Sequence, residues 1–215
     1  MCVLCTKEPA TTKEHIPSRG VFLVKPKQYL TVPACERCNN SAKLDDQYFR
    51  DVLAACSTTE EGRAVWRNKV MARFKERPAT KIGFRDQMAP VNVTSEVGGS
   101  MVLPGIRVNA ERFERCIRKM VWGLYWWHSS RLLDPTTPLD VHFLNFVQAP
   151  AFFRDQKQVS IFRKAAPGVY RAPGEVPTFC YLFGITAEVS IWYFIFYRQN
   201  MAIGFTDSAR RSADV

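Results

Sequence analysis

The chain has 215 residues, 47% of them apolar, enough to bury a core in one large domain or two small ones, so disorder is not the default reading. Thirty Lys and Arg against twenty Asp and Glu leave a formal charge of +10, which favours a polyanionic partner through counterion release. Seven cysteines, an odd number, and an opening Met1-Cys2 with no charged-then-apolar leader argue against a secreted disulfide scaffold. The longest apolar run, 189–197, is less than half a bilayer span. The expectation is a soluble cytoplasmic protein with no membrane association.

In chain order, Cys2-Val3-Leu4-Cys5 comes first, and a second such knuckle stands at Cys35-Glu36-Arg37-Cys38. Between them, 21–24 and 29–32 have the β-branched and aromatic content of two short strands, punctuated by Pro17, Pro26 and Pro33. Asn39-Asn40-Ser41 can cap a helix along which Leu44, Tyr48, Phe49 and Val52 recur on one face. A second helix is predicted from the Ser57-Thr58-Thr59 cap to Arg77, stopped by Pro78, with Trp66, Val70 and Phe74 inward. Its polar side carries Arg63, Arg67, Lys69, Arg73, Lys75 and Arg77, continued by Lys81 and Arg85, against Glu76 alone within residues 62–85. Such a side is either a solvated face or a surface that tracks a phosphate backbone.

Residues 86–107, with Pro90, Gly98, Gly99, Pro104 and Gly105, read as loop with at most one short strand and as the best boundary in the chain. A long helix then starts at the Asn109 cap and ends before Pro135, its core stripe running through Phe113, Cys116, Ile117, Met120, Val121, Leu124 and Trp127. Trp122 and Trp126, beside His128, suit burial or base stacking. From Asp140 the pattern shortens to strands at 141–147, 159–162, 179–185, 189–197 and 201–205, with a tight turn at Arg198-Gln199-Asn200 and a frayed tail at 208–215. The run 189–197 suits a central strand covered on both faces, on one of them by the 109–133 helix. The fold class expected is α+β, divided into a compact unit at 1–55, a basic helix and loop linker at 56–105, and a helix plus antiparallel-sheet domain at 106–215.

Two Cys-x-x-Cys knuckles can close a tetrahedral Zn²⁺ site through Cys2, Cys5, Cys35 and Cys38, leaving Cys56, Cys116 and Cys180 as buried thiols. The succession Cys2-x-x-Cys5, Lys13-Glu14-His15-Ile16-Pro17 and Val32-Pro33-Ala34-Cys35-x-x-Cys38-Asn39 resembles the HNH endonucleases. These are the ββα-metal nucleases whose hairpin and helix are often stapled by a four-cysteine zinc. The resemblance covers about residues 1–53 and implies an N-terminal zinc-stapled ββα-metal unit that hydrolyses phosphodiesters with one divalent cation.

By this resemblance His15 is the general base, a role its near-neutral pKa suits. Glu14 takes the place of the acidic metal ligand, where aspartate is commoner, and Asn39 that of the final metal-binding residue. A carboxylate and an amide oxygen suit Mg²⁺ or Mn²⁺. Adjacent residues on a regular strand point to opposite faces, so Glu14 and His15 serve one phosphate only where the backbone departs from regular β. The sequence also departs from the family: Leu30 or Thr31 stands where an asparagine is often found, and a lysine is displaced by one, with Ala42 in its place and Lys43 next. Asn40, Asp45 and Asp46 lie close enough to substitute as ligands, although an Asp pair near a helix start also answers the helix dipole, and none is counted into the site.

The leading expectation is thus a metal-dependent endonuclease acting on DNA, with RNA left open. The alternatives are a zinc-stabilised nucleic-acid-binding module without cleavage, and an effector or interaction protein of a defence or mobile-element system. A homodimer or a protein partner through the C-terminal domain also stays open.

Overall fold

The computed structural model describes residues 1–26, 29–94, 98–144, 167–171 and 178–208. The strand expected at 159–162, the end of that expected at 141–147 and the tail from 209 lie outside the described residues. The fold is α+β with antiparallel sheets.

Strand β1 (Thr12–Ile16) pairs with β2 (Leu30–Ala34), setting Glu14 opposite Val32 and His15 opposite Thr31. The first strand is therefore the charged Lys13-Glu14-His15 stretch, and the segment 21–24 forms no ladder. Val21 closes a 3₁₀ turn at Arg19–Val21, and its side chain and that of Phe22 are buried as plugs while Val24 stays in solvent. Apolar content there signalled burial, which period-two pairing does not require. Helix α1 (Glu36–Ser41) starts on Cys35, whose sulfur accepts the Cys38 amide at 3.4 Å. Helix α2 (Lys43–Ala55) buries Tyr48, Phe49, Val52 and Leu53, whereas Leu44 is exposed, so the apolar stripe begins one turn later than its sequence spacing suggests.

The Thr59 hydroxyl caps α3 (Glu60–Val65), which runs through a π turn at Trp66–Val70 into α4 (Met71–Glu76), with Val70 and Phe74 buried. The helix breaks at Arg77, but Pro78 then opens α5 (Pro78–Arg85), because a residue with no N–H costs nothing in a first turn. The basic side is not one free surface. Lys69 donates to the carbonyls of Gly20 and Phe22, Arg73 pairs with Asp51 and Arg67 with Glu60. Arg63, Lys75, Arg77, Lys81 and Arg85 remain exposed.

Where loop was expected, β3 (Met88–Thr94) and β4 (Ser100–Ile106) form a hairpin of their own, with Pro90 opposite Pro104. A two-stranded ladder consists of edges only, so prolines that would break a central strand are tolerated. Helix α6 (Ala110–Ser129) is capped by Asn109, whose Oδ1 accepts the Arg112 amide at 3.0 Å. Its stripe is buried except for Trp127, which is half exposed, while Trp122 is fully buried under the Arg118 guanidinium and cannot stack on a base. Strands β5 (Leu139–Leu144), β6 (Pro167–Arg171), β7 (Phe179–Ile185), β8 (Val189–Phe196) and β9 (Asn200–Asp207) form one sheet in the order β5-β9-β8-β7-β6, with β8 central.

Helix α6 is clasped between this sheet and the N-terminal hairpin. A Cβ on Gly123 would come within 2.9 Å of Ile16, and one on Gly204 of β9 within 2.8 Å of Val121, so both glycines permit close approach. One core accordingly runs from Val3, Ile16 and Val32 through Ile117 and Val121 to Trp192, Phe194 and Phe196. The turn after β8 spans Tyr197 to Gln199, with Tyr197 and Arg198 at positive φ, and Asn200 already belongs to β9. This turn grips the N-terminal unit: Tyr197 Oη donates to the Val21 carbonyl at 2.8 Å, Asn200 Nδ2 to that of Leu53 at 2.9 Å, and the Thr58 amide to Gln199 Oε1 at 2.7 Å. Among the described residues no helix is long and apolar enough to cross a membrane.

Candidate metal centre and the adjoining cleft

The first knuckle is a tight turn in which the Cys2 amide donates to the Glu8 carbonyl and the Thr6 amide to that of Cys2. The end of β2 and the start of α1 present Cys35 and Cys38, and the bond from the Val3 amide to the Pro33 carbonyl joins the two knuckles at 3.0 Å. All four sulfurs lie within 4.8 Å of one another, with Cys5 and Cys35 3.9 Å apart. Tetrahedral Zn–S bonds of about 2.3 Å would set the sulfurs about 3.8 Å apart. Burial opposes the Cys5 thiolate, but the amides of Lys7 and Glu8 and the thiols of Cys2 and Cys38 bring that pKa down to about 6. Burial and the neighbouring sulfurs push the Cys38 thiol up. Among the described residues this is the one group of three or more His, Cys, Asp or Glu whose ligand atoms converge on a metal-sized space.

Beside it a cleft of about 320 Å³ opens between the β1 end and α2, lined by Glu14, His15, Ser18, Arg19, Asn39 and Asp46, with Lys43 and Arg50 also on its wall. The three residues expected to act together do meet here. The departure from regular β expected for a shared phosphate is not found, since Glu14 and His15 both lie in the unbroken ladder: Glu14 is buried towards α6, whereas His15 is half-buried with the Tyr29 ring edge-on at 5.0 Å, and both still border the one cleft at the β1 end. Burial, then the positive charges of Arg19 and Lys119, lower the His15 pKa, so its imidazole is neutral at pH 7. Asn39 Nδ2 donates to Thr12 Oγ1 at 3.1 Å and to the Lys13 carbonyl at 3.4 Å, leaving Oδ1 without a partner among the described residues. The displaced lysine, Lys43, still lines the cleft.

Two residues outside the expected set meet Glu14 there, Asp46 on the cleft wall and Lys119 behind it. Lys119 of α6, 7% exposed, donates to Glu14 Oε1 at 3.1 Å and to Asp46 Oδ1 at 2.5 Å. Burial works against its charge, yet Asp46 and Glu14 hold its pKa above the ordinary lysine value. Sequence reasoning set Asp46 aside and missed Lys119, which is 105 residues from Glu14. One signal was available: Lys119 falls on the same helix face as Cys116 and Gly123, and a cation in an apolar stripe requires a buried counter-charge.

Compared with protein-family models, curated proteins and solved structures, the chain gives no match.

Proposed function

We propose that the chain is a metal-dependent endonuclease of the HNH type, with Cys2, Cys5, Cys35 and Cys38 holding a structural Zn²⁺ and the His15 cleft hydrolysing DNA phosphodiesters. The observation that carries this reading is the meeting of His15, Glu14 and Asn39 in one cleft against the thiol cluster.

Each side chain has a task it is equipped for. The neutral His15 imidazole accepts a proton from water as the water oxygen bonds to phosphorus; the bond from phosphorus to the 3′ oxygen breaks, and that oxygen is protonated from solvent. Arg19 and Lys43 neutralise the non-bridging phosphate oxygens, and their placement along the wall orients the strand, while Arg50 on the same wall is held by Asp51. Glu14 Oε2 and Asn39 Oδ1, hard oxygens with no partner among the described residues, fit Mg²⁺ or Mn²⁺. When bound, that cation supplies charge neutralisation at the phosphate and the departing oxygen.

Plasmid incubated with Mg²⁺ or Mn²⁺ tests the reading. Wild type should nick or linearise it and His15→Ala should lose at least about a hundredfold in rate. Equal behaviour of the two excludes His15 catalysis, and RNA of matching sequence tells whether the 2′-hydroxyl is accepted.

A second reading, a zinc-stabilised module that binds nucleic acid without cutting it, is favoured by the ammonium that already neutralises Glu14. It predicts salt-sensitive DNA binding with no metal-dependent cleavage.

A further inference from the structure

We propose that Asp46 is a second carboxylate ligand for the cation of the His15 cleft, and that Lys119, seated behind Glu14 and Asp46, sets the charge of that site. The inference rests on the reading of the cleft given above.

Lys119 does not line the His15 cleft. It lines a separate pocket of about 330 Å³ on the other side, with Cys116 and Trp122, and Asp46 alone of the three charged partners borders both spaces. The ammonium therefore engages one oxygen of each carboxylate from behind, Glu14 Oε1 and Asp46 Oδ1. The other oxygens, Oε2 and Oδ2, have no hydrogen-bond partner among the described residues, and neither does Asn39 Oδ1 in the same cleft. The Ser18 hydroxyl on the same wall is buried and likewise lacks a partner. Three hard oxygens from β1, α1 and α2, each fixed by a contact of its own residue, make a donor set for a small divalent cation.

The charges give Lys119 its second role. Two carboxylates and one ammonium sum to −1, so a divalent cation brings the group to +1, which matches the single negative charge of a phosphodiester. Without Lys119 the carboxylates alone sum to −2, and the loaded site would be neutral. Lys119 thus weakens cation binding and keeps the loaded site attractive to the substrate anion.

Mn²⁺ alone, titrated into the full-length zinc-loaded chain and followed by electron paramagnetic resonance, tests this without any turnover. Lys119→Met should bind Mn²⁺ about tenfold tighter than wild type or more. Its thermal midpoint, lowered without Mn²⁺, should recover as Mn²⁺ replaces the ammonium as counter-charge. Asp46→Asn should bind about tenfold more weakly. A purely structural ion pair predicts a destabilised Lys119→Met that Mn²⁺ does not restore and unchanged Mn²⁺ affinity in both variants, and that result overturns the proposal. Where Lys119→Met fails to fold, Asp46→Asn decides alone, since an unchanged affinity there removes Asp46 from the site. Unchanged affinities alongside His15-dependent plasmid cleavage would leave the nuclease reading standing. Tighter Mn²⁺ in Lys119→Met with no such cleavage would sink the nuclease reading and leave the cation site.

Discussion

His15 stands directly opposite Thr31 across the β1–β2 hairpin, as a paired residue on the neighbouring strand. A threonine at that point has a short hydroxyl where an amide could reach an imidazole nitrogen, and among the described residues no hydrogen bond to the His15 ring is made. On the nuclease reading, Thr31→Asn should fix the ring and raise plasmid cleavage roughly fivefold, the equivalent of about 1 kcal/mol of orientation. A matched drop in rate would mean that the ring is already held by solvent or substrate.

The lowered His15 pKa sets the acid limb of the rate profile. The base form predominates above that pKa, so kcat/KM should rise with pH along a limb whose midpoint lies below the ordinary histidine value of about 6.5. Arg19→Gln removes a charge that disfavours the imidazolium, and the limb should move up towards about 6.5. The same shift acts on stability: below about 6.5 the unfolded chain takes up the proton first, so this contribution is lost as pH falls. Denaturant midpoints of wild type and His15→Gln, compared across the acid range, would expose it.

Stripping the metal from the four thiols should be felt well beyond them. Such sites supply about 10–16 kcal/mol in small zinc peptides, and losing even ~5 kcal/mol lowers the midpoint of a chain this size by roughly 10–20 °C. Because Val3, Ile16 and Val32 share a core with α6, the emission of buried Trp122 should shift when chelator is added. A melt unaffected by chelator would show that the thiols hold nothing of structural weight.

Gly123→Ala tests the clasp between α6 and the hairpin. The added methyl would lie 2.9 Å from Ile16 Cγ1 and Cδ1, an overpacking worth about 1–3 kcal/mol. Urea titration should show the loss, and cleavage should fall further than stability does because Ile16 follows His15 directly. Wild-type behaviour in both assays would mean that Ile16 gives way without moving the strand.

The basic helices separate into two classes by their partners. Replacing exposed Arg63, Lys81 and Arg85 by alanine should lower the salt slope of DNA binding by up to about 3 while leaving the melt alone. Removing Lys69 or Arg73, which are tied to the Gly20 and Phe22 carbonyls and to Asp51, should destabilise the fold instead. An unchanged slope in the exposed variant would move the DNA contact elsewhere.

What the sequence made legible was local. Knuckle spacing, the Thr59 and Asn109 caps, the long amphipathic helix and the central strand β8 are all set within a few residues, and the structure has them. The misread segments are those where neighbours decide. Lys13-Glu14-His15 looks unlike a strand until Pro33, Val32 and Thr31 pair with it, and Pro90 and Pro104 look like loop until they face each other in an isolated ladder. Asp46 gains meaning only from Lys119, which a whole helix brings in from the far half of the chain.

The Tyr197 to Gln199 turn has a practical consequence. Side chains of Tyr197 and Asn200 satisfy the carbonyls of Val21 and Leu53, so a graft of residues 1–55 onto a foreign scaffold would carry every proposed metal ligand yet leave these two groups unmatched. Whatever chemistry the cleft performs, the first fifty-five residues are no portable cassette; they are one half of a clamp whose other jaw is made last.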